Sequence, residues 1–267
     1  MATTRKGPAR TEKPRRGARR LWRQRGGWAW GKLKAAPRSL QIGIAVAAFV
    51  VIFAAANLAY HVVAKPTELF FPIGNALNKT PGDTWERYGA YFQQYSTAAA
   101  PPELLAALAQ IEGAGNPVAR TYWRWRFSWH PFAIYEPASS AVGMYQMTDP
   151  AFVEAKRYCV RQHSVEDNCG LTGLYTRVVP SHAIELAAVY LDRNVARILG
   201  DKADAATPQQ KQDLAAIIHL CGAGPARRFA QHGFHFPPGE RCGDHDAAEY
   251  LTKFHAAERQ FRRLAGG

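Results

Sequence analysis

Between Arg38 and Lys65 lie 26 residues without a single Asp, Glu, Lys or Arg. Within them, Leu40 to Val63 reads LQIGIAVAAFVVIFAAANLAYHVV. A helix rises about 1.5 Å per residue, so about twenty apolar residues cross a hydrocarbon layer of ~30 Å. Asn57 and His61 fall toward the carboxyl end of the run, where polar groups cost less. A cleaved signal peptide has a shorter basic segment and a shorter apolar core. The stretch therefore reads as one uncleaved membrane anchor.

Charge then suggests an orientation. The first 38 residues hold thirteen Lys or Arg against one acid, Glu12. The whole chain carries a net charge of +13, so the excess belongs to the tail and the rest is close to neutral. Such a segment, poor in aliphatic residues, cannot build a core and is expected to be disordered. A basic tail is also the footprint of nucleic-acid binding. The adjoining anchor argues instead for a segment kept in the cytoplasm by its Lys/Arg excess. There it could meet anionic lipid, with no specific nucleic acid. Trp22, Trp28 and Trp30 would sit at the cytoplasmic interface or serve as ordinary surface rings. The expected layout is a cytoplasmic tail over 1–39, a transmembrane helix over 40–64, a Pro- and Gly-bearing linker over 65–82 and a domain over 83–267. In a bacterial cell that domain would be periplasmic, on an inner-membrane protein with a single span.

The domain reads as mainly α. Over 84–96, Trp85, Tyr88, Phe92 and Tyr95 share a helical stripe, expected to pack in the core. The next helix opens at Pro101-Pro102, where the first turn needs no amide donors, and is expected to stop at Gly113 and Gly115, with Pro117 beyond. Leu104, Leu105, Leu108 and Ile111 share one face. Glu112 lies at the edge of that face, among hydrocarbon and at the negative end of the helix dipole. Both effects favour the protonated acid, the state a proton donor needs. A glutamate at a helix end also serves as a structural partner for a buried donor, and both readings stand at this point.

Trp123, Trp125, Phe127 and Trp129 alternate with Arg124, Arg126 and Ser128, the period of a strand with one buried face. Most of these rings are expected to pack. The arginines are either solvated or part of a cationic wall beside a site. Ala138 to Thr148 is rich in small residues, and Asp149-Pro150 reads as the cap and first position of a helix. Gln146 there is either a core glutamine or a ligand-facing one. A helix over 183–199 buries Ile184, Ala188, Leu191, Val195 and Ile198. Thr207, Pro208 and Gln210 open another with a capping box. Asp246 and Glu249 form a second box, ahead of a stripe made by Tyr250, Phe254, Ala257, Phe261 and Leu264.

All four cysteines follow the anchor, in an oxidising space on this topology. Of the three possible pairings, Cys159–Cys169 and Cys221–Cys242 each close a short local loop and are the ones expected. No Cys-x-x-Cys is present, and His232 and His235 lack partners at finger spacing, so no metal is expected. No organic cofactor is indicated either.

Glu112 with Asn116-Pro117, then Ser139-Ser140-Ala141-Val142-Gly143-Met144-Tyr145-Gln146, resembles the pattern of the lytic transglycosylases of the lysozyme-like superfamily. There the catalytic glutamate ends a helix in an E-x-x-x-N-P context, followed by a small-residue run ending in Gly-Leu-Met-Gln. Cys221-Gly222-Ala223-Gly224-Pro225 stands where relatives have Tyr-Asn-Ala-Gly-Pro. The likeness spans residues 84–254. It implies a lysozyme-like helical domain, extended here by an aromatic-rich β or irregular flap over 118–138. It implies Glu112 as the catalytic acid, and Ser140, Met144, Tyr145 and Gln146 as substrate-binding residues. The substrate would be the β-1,4 bond between N-acetylmuramic acid and N-acetylglucosamine in peptidoglycan glycan strands. Glu112 would act as acid and then base, closing a 1,6-anhydro ring. A muramidase-type hydrolase is the alternative, with Glu136, Asp149 or Asp246 as the second carboxylate. A non-catalytic wall-binding or assembly protein is another. Because Cys221-Gly222 replaces Tyr-Asn, the family's tyrosine is missing, with Tyr145, Tyr190 or His219 as substitutes. Asp246 with Tyr250 also resembles an acid-x-x-x-Tyr pattern near the family's end, or else is only a helix cap.

Overall fold

A computed structural model describes residues 34–70, 73–167, 169–170 and 172–266; the reading of the basic tail lies outside them for residues 1–33. The chain divides into two units, residues 1–57 and Leu58–Gly267. Helix α1, Arg38–Ala64, is long and apolar enough to cross a membrane. Ile42, Phe49, Val51 and Ile52 on it are exposed.

The second unit is mainly helical. Its helices are α2 (Pro81–Gln94), α3 (Pro102–Gly113), α4 (Asp149–Ala155), α5 (Pro180–Leu199), α6 (Pro208–Cys221), α7 (Ala223–Gln231) and α8 (Ala247–Ala265). Three two-stranded antiparallel hairpins join them: β1 (Trp123–Trp125) with β2 (Tyr135–Pro137), β3 (Cys159–Arg161) with β4 (Ser164–Glu166), and β5 (Arg241–Cys242) with β6 (His245–Asp246).

Helix α3 is the axis of the unit. Leu104 to Ala109 all have 0% exposure, so the helix is buried all round rather than along the one stripe that its leucines suggest. Ala106, Ala107 and Ala109 let neighbours approach the faces the leucines leave, and α2, α5, α6 and α8 pack around it. The aromatic stripes of α2 and α8 meet beside it: Phe92, Phe254 and Phe261 are fully buried, and Trp85 contacts Phe261 at 6.1 Å between ring centres. Helix α5 buries Ile184, Ala188, Leu191 and Val195 as its period requires, with Ile198 only partly covered.

Caps follow local chemistry, with two adjustments. Thr207 and Gln210 form the reciprocal box that opens α6, and Thr80 with Asp83 does the same for α2. Asp246 accepts from the amides of Ala248 and Glu249, but Glu249 turns to Lys253 at 2.7 Å instead of completing a box. The N-cap of α4 is Thr148, one residue before the expected Asp149. Asp149 instead takes Arg177 Nη2 at 2.6 Å.

The 65–82 stretch, read as a linker, makes specific bonds to the unit through its described residues. Asn116 Nδ2 donates to Gly74 O at 2.6 Å and to Asn78 Oδ1 at 2.9 Å, and buried Glu68 receives Lys65, Arg120 and Trp123 Nε1. The segment Trp123–Trp129 is not a strand with a packed face. Strand β1 stops at Trp125, and Trp125, Phe127 and Trp129 are 76%, 95% and 95% exposed. A two-stranded ribbon has no second layer to cover its rings, and the pairing partner β2 is only three residues long.

Cys159 is bonded to Cys169, and Cys221 to Cys242, with Cα–Cα separations of 5.8 and 5.1 Å. Each bridge fastens a hairpin, the first at β3 and the second between the end of α6 and β5.

Burial holds the Tyr145 phenol well above its usual pKa, and Tyr175 is raised too, by burial and then by its hydrogen bond to Glu185. An unfolded tyrosine ionises near pH ~10. The folded state resists that ionisation, so this contribution to stability is complete below pH ~10 and is lost as pH climbs above it, by about 1.4 kcal/mol per pH unit per group. Chemical denaturation between pH 8 and 11 should show falling stability above pH 10, and absorbance at 295 nm should show these phenols ionising together with unfolding. Free ionisation of all tyrosines in the folded protein would contradict the burial.

Candidate active site

A helix buried on all sides offers chemistry only at its ends, and the carboxyl end of α3 opens into a cleft of about 420 Å³. Glu112 lines it, with Gln110, Asn116, Val118, Arg120 and Tyr122. The helix turns off at Ala114, whose φ of 50° is left-handed. Gly113 is thus still helical, and its missing side chain serves a different purpose. A Cβ there would lie 2.7 Å from the Cα of Met144. The close crossing of these two backbones seats the Gly143–Gln146 turn directly behind the residue that follows Glu112.

The last carbonyls of α3 accept from the amides of the turn that follows, Ala114 N to Gln110 O at 3.0 Å and Asn116 N to Gly113 O at 2.9 Å, and that turn is tied to the 65–82 segment. Lys79 N–H donates to Ala114 O at 2.8 Å and Lys79 Nζ to Gly115 O at 3.1 Å, a cation at the negative helix end. Gln110 Nε2 donates to Lys79 O at 3.0 Å, and Thr84 Oγ1 to Gln110 Oε1 at 2.8 Å. The buried amide of Asn116 fixes the turn that follows, accepting from Val118 N at 3.0 Å.

Two side chains address the Glu112 carboxyl. Tyr250, from the first turn of α8, donates its O–H to Oε1 at 2.7 Å. His219, near the end of α6, places Nε2 3.8 Å from the same oxygen. Burial, then the charge of Glu112, then the hydrogen bond to it, hold the Tyr250 phenol well above its usual pKa. It is therefore a neutral donor throughout the physiological range. Three helices distant in sequence thus converge on one oxygen, while the Glu112 side chain keeps 19% exposure.

The other residues singled out in the sequence fall elsewhere. Met144 and Tyr145 have 0% and 1% exposure, and Tyr145 O–H donates to Leu105 O at 3.0 Å. Both side chains are core packing, which corrects their assignment as substrate contacts: they anchor the turn against α3. Gln146 is partly buried with φ 43°, and its Nε2 donates to Gly143 O at 2.9 Å, within its own turn. Ser140 Oγ accepts from Asp149 N at 3.1 Å and lines a second cavity, near Lys65 and Arg177. Of Tyr145, Tyr190 and His219, the residues considered as partners for Glu112, His219 comes within 3.8 Å of it, whereas Tyr145 is committed to the core. Cys221 is taken by its disulfide, and Gly222 makes the turn between α6 and α7 at φ 76°.

The sequence reading placed Tyr250 in the core stripe of α8 and, with Asp246, in an acid-x-x-x-Tyr pattern, but did not link it to Glu112, which its hydroxyl meets. Its signal was its type. A tyrosine heading a row of phenylalanines needs a partner for its hydroxyl once buried. Among the described residues, no group of three or more His, Cys, Asp or Glu is placed to hold a metal ion.

Gly113→Ala should cost about 1–3 kcal/mol, the usual price of forcing a methyl into a filled contact, read as a lower melting temperature. An unchanged melting temperature would mean that the α3–turn contact is looser than described. Neither a protein-family model nor a curated protein sequence matches the chain, so the chemistry of the cleft rests on its own geometry.

Proposed function

We propose that the domain is a peptidoglycan lytic transglycosylase with Glu112 as its sole acid and base. The observation that carries this reading is that Glu112 is the one carboxylate among the described residues lining its cleft. The three candidates for a second carboxylate are engaged elsewhere. Glu136 pairs with Arg126 at 3.2 Å, Asp149 with Arg177 at 2.6 Å, and Asp246 caps α8. Hydrolysis through two carboxylates needs both to flank the scissile bond. A single carboxyl suffices when the nucleophile belongs to the substrate.

In the proposed cycle Glu112 gives its proton to the glycosidic oxygen as the C1–O bond breaks through an oxocarbenium-like state. The carboxylate then takes the proton of the muramic 6-hydroxyl as that oxygen bonds to C1. The anhydro ring closes, the acid is restored and no water is consumed. Tyr250 would hold Oε1 so that Glu112 keeps its orientation through both steps, and His219 would keep the polar side of the carboxyl lined. The basic tail and α1 support an inner-membrane protein, with the tail cytoplasmic and the domain facing the wall. Two disulfides in that domain are compatible with an oxidising compartment.

Purified full-length protein in detergent should digest peptidoglycan to muropeptides lighter by one water than hydrolysis products, read by mass spectrometry. Glu112→Gln keeps the shape and removes the acid, and should lower the rate at least ~10²-fold. Reducing ends would identify a hydrolase, and activity retained in Glu112→Gln would remove Glu112 from the chemistry. Intact glycan that is nevertheless retained on the protein would favour a wall-binding role. Tyr250→Phe should lower the rate while preserving most of the fold, because the loss of one hydrogen bond costs about 1 kcal/mol.

A further inference from the structure

The exposed aromatic hairpin runs beside the end of α1, and the order of their contacts gives it a direction. Lys65 Nζ donates to Ser139 O at 3.3 Å, just past the base of the hairpin. Four residues earlier on the helix, His61 meets the ring of Trp123, which pairs with Pro137 at the base, at 5.0 Å between centres. His61 Nε2 is also 2.8 Å from Phe132 O, and Tyr60 stacks on the Phe132 ring at 4.9 Å. As the helix is followed from Lys65 back to Tyr60, the hairpin is thus followed from base toward tip. The same hairpin loop carries Phe127 and Trp129, each 95% exposed and in ring contact with one another at 6.4 Å.

Lys65 is the first charged residue after the apolar run, so it marks the watery edge of the span. Tyr60 lies five residues, or about 7.5 Å, to the membrane side of it. Phe132 stacks at that depth, within the loop that carries Phe127 and Trp129. Large rings held fully exposed by a closed backbone are costly in water but suited to the interface, where aromatic residues collect. Part of the tip backbone is internally bonded: Arg126 N to Ile134 O at 2.9 Å, Ala133 N to His130 O at 3.0 Å, and His130 N to Ser128 Oγ at 3.1 Å. The amides of Phe127, Ser128 and Trp129 are left to headgroups and water, which suits the interface and not the hydrocarbon. Ser128, His130 and the Arg126–Glu136 pair keep it at the headgroup level rather than in the hydrocarbon.

We infer that the 126–131 tip is a second membrane contact, seating Phe127 and Trp129 in the interface of the bilayer that α1 crosses. The inference rests on α1 spanning a bilayer and is independent of the proposed catalysis.

The test uses the full chain in phosphatidylethanolamine–phosphatidylglycerol vesicles, with acyl chains brominated either near the glycerol or near the methyl end. Subtracting the emission of a Trp129→Phe variant from that of the wild type isolates Trp129. Shallow bromines should remove most of this difference emission, and deep bromines little. A difference emission untouched by either bromolipid would overturn the proposal, as would stronger quenching by the deep set. A response to soluble glycan chains alone would assign the tip to glycan and overturn it too. Alkaline carbonate extraction separates the two readings. Retention of the full chain with an unquenched Trp129 removes the hairpin contact alone, whereas release removes the anchor and the hairpin contact together.

Discussion

Leu104 to Ala109 have no solvent exposure on any side, and that single fact dictates how the rest of the domain is built. A helix enclosed by α2, α5, α6 and α8 cannot carry a polar side chain along its length. Its terminal carbonyls must be met by other parts of the chain or by water. The turn beyond the helix meets them, Ala114 N reaching Gln110 O and Asn116 N reaching Gly113 O, and Lys79, Gln110 and Asn116 tie that end to the 65–82 segment. Gln110 and Glu112 are the first long polar side chains after the enclosed stretch, and Gln110 is engaged by Lys79 and Thr84. The position of Glu112 in a cleft follows from where burial ends.

The acids of the domain divide by how they are held. Glu68 is buried against two cations and an indole N–H. Glu185 is buried between the amide of Val160 and the phenol of Tyr175, at 2.9 and 2.8 Å. Glu258 pairs with Arg262 at 3.1 Å. Each is a satisfied structural group, since a buried charge is tolerated only when paired or well hydrogen-bonded. Glu112 differs, being held through one oxygen by the Tyr250 phenol and the more distant His219 ring while its side chain keeps 19% exposure. That arrangement fixes its orientation.

Much of the architecture was legible because periodicity and capping are local. The stripe of α5, the Thr207 box and the paired prolines ahead of α3 are all set by residues within one or two turns. Where the reading went astray, the deciding partner lay far along the chain. Met144 and Tyr145 looked like ligand contacts beside a glycine turn. They are core because Gly113, thirty-one residues away from Met144, lets the two backbones cross. The alternating rings of 123–129 looked like a buried strand face. They are exposed because a strand is covered only when another layer exists, and alternation alone does not supply one.

The sequence by itself determined the apolar span, the near-neutral domain behind a basic tail, the helices with their caps, and Glu112 at the end of the central one. These depend on composition and on spacings of two to four residues. Only the tertiary structure decided what surrounds Glu112. Tyr250 stands 138 positions from it and His219 more than a hundred. No local pattern relates residues so far apart. They meet because α3, α6 and α8 pack around one core, and the burial that joins those helices brings their polar ends to one carboxyl oxygen.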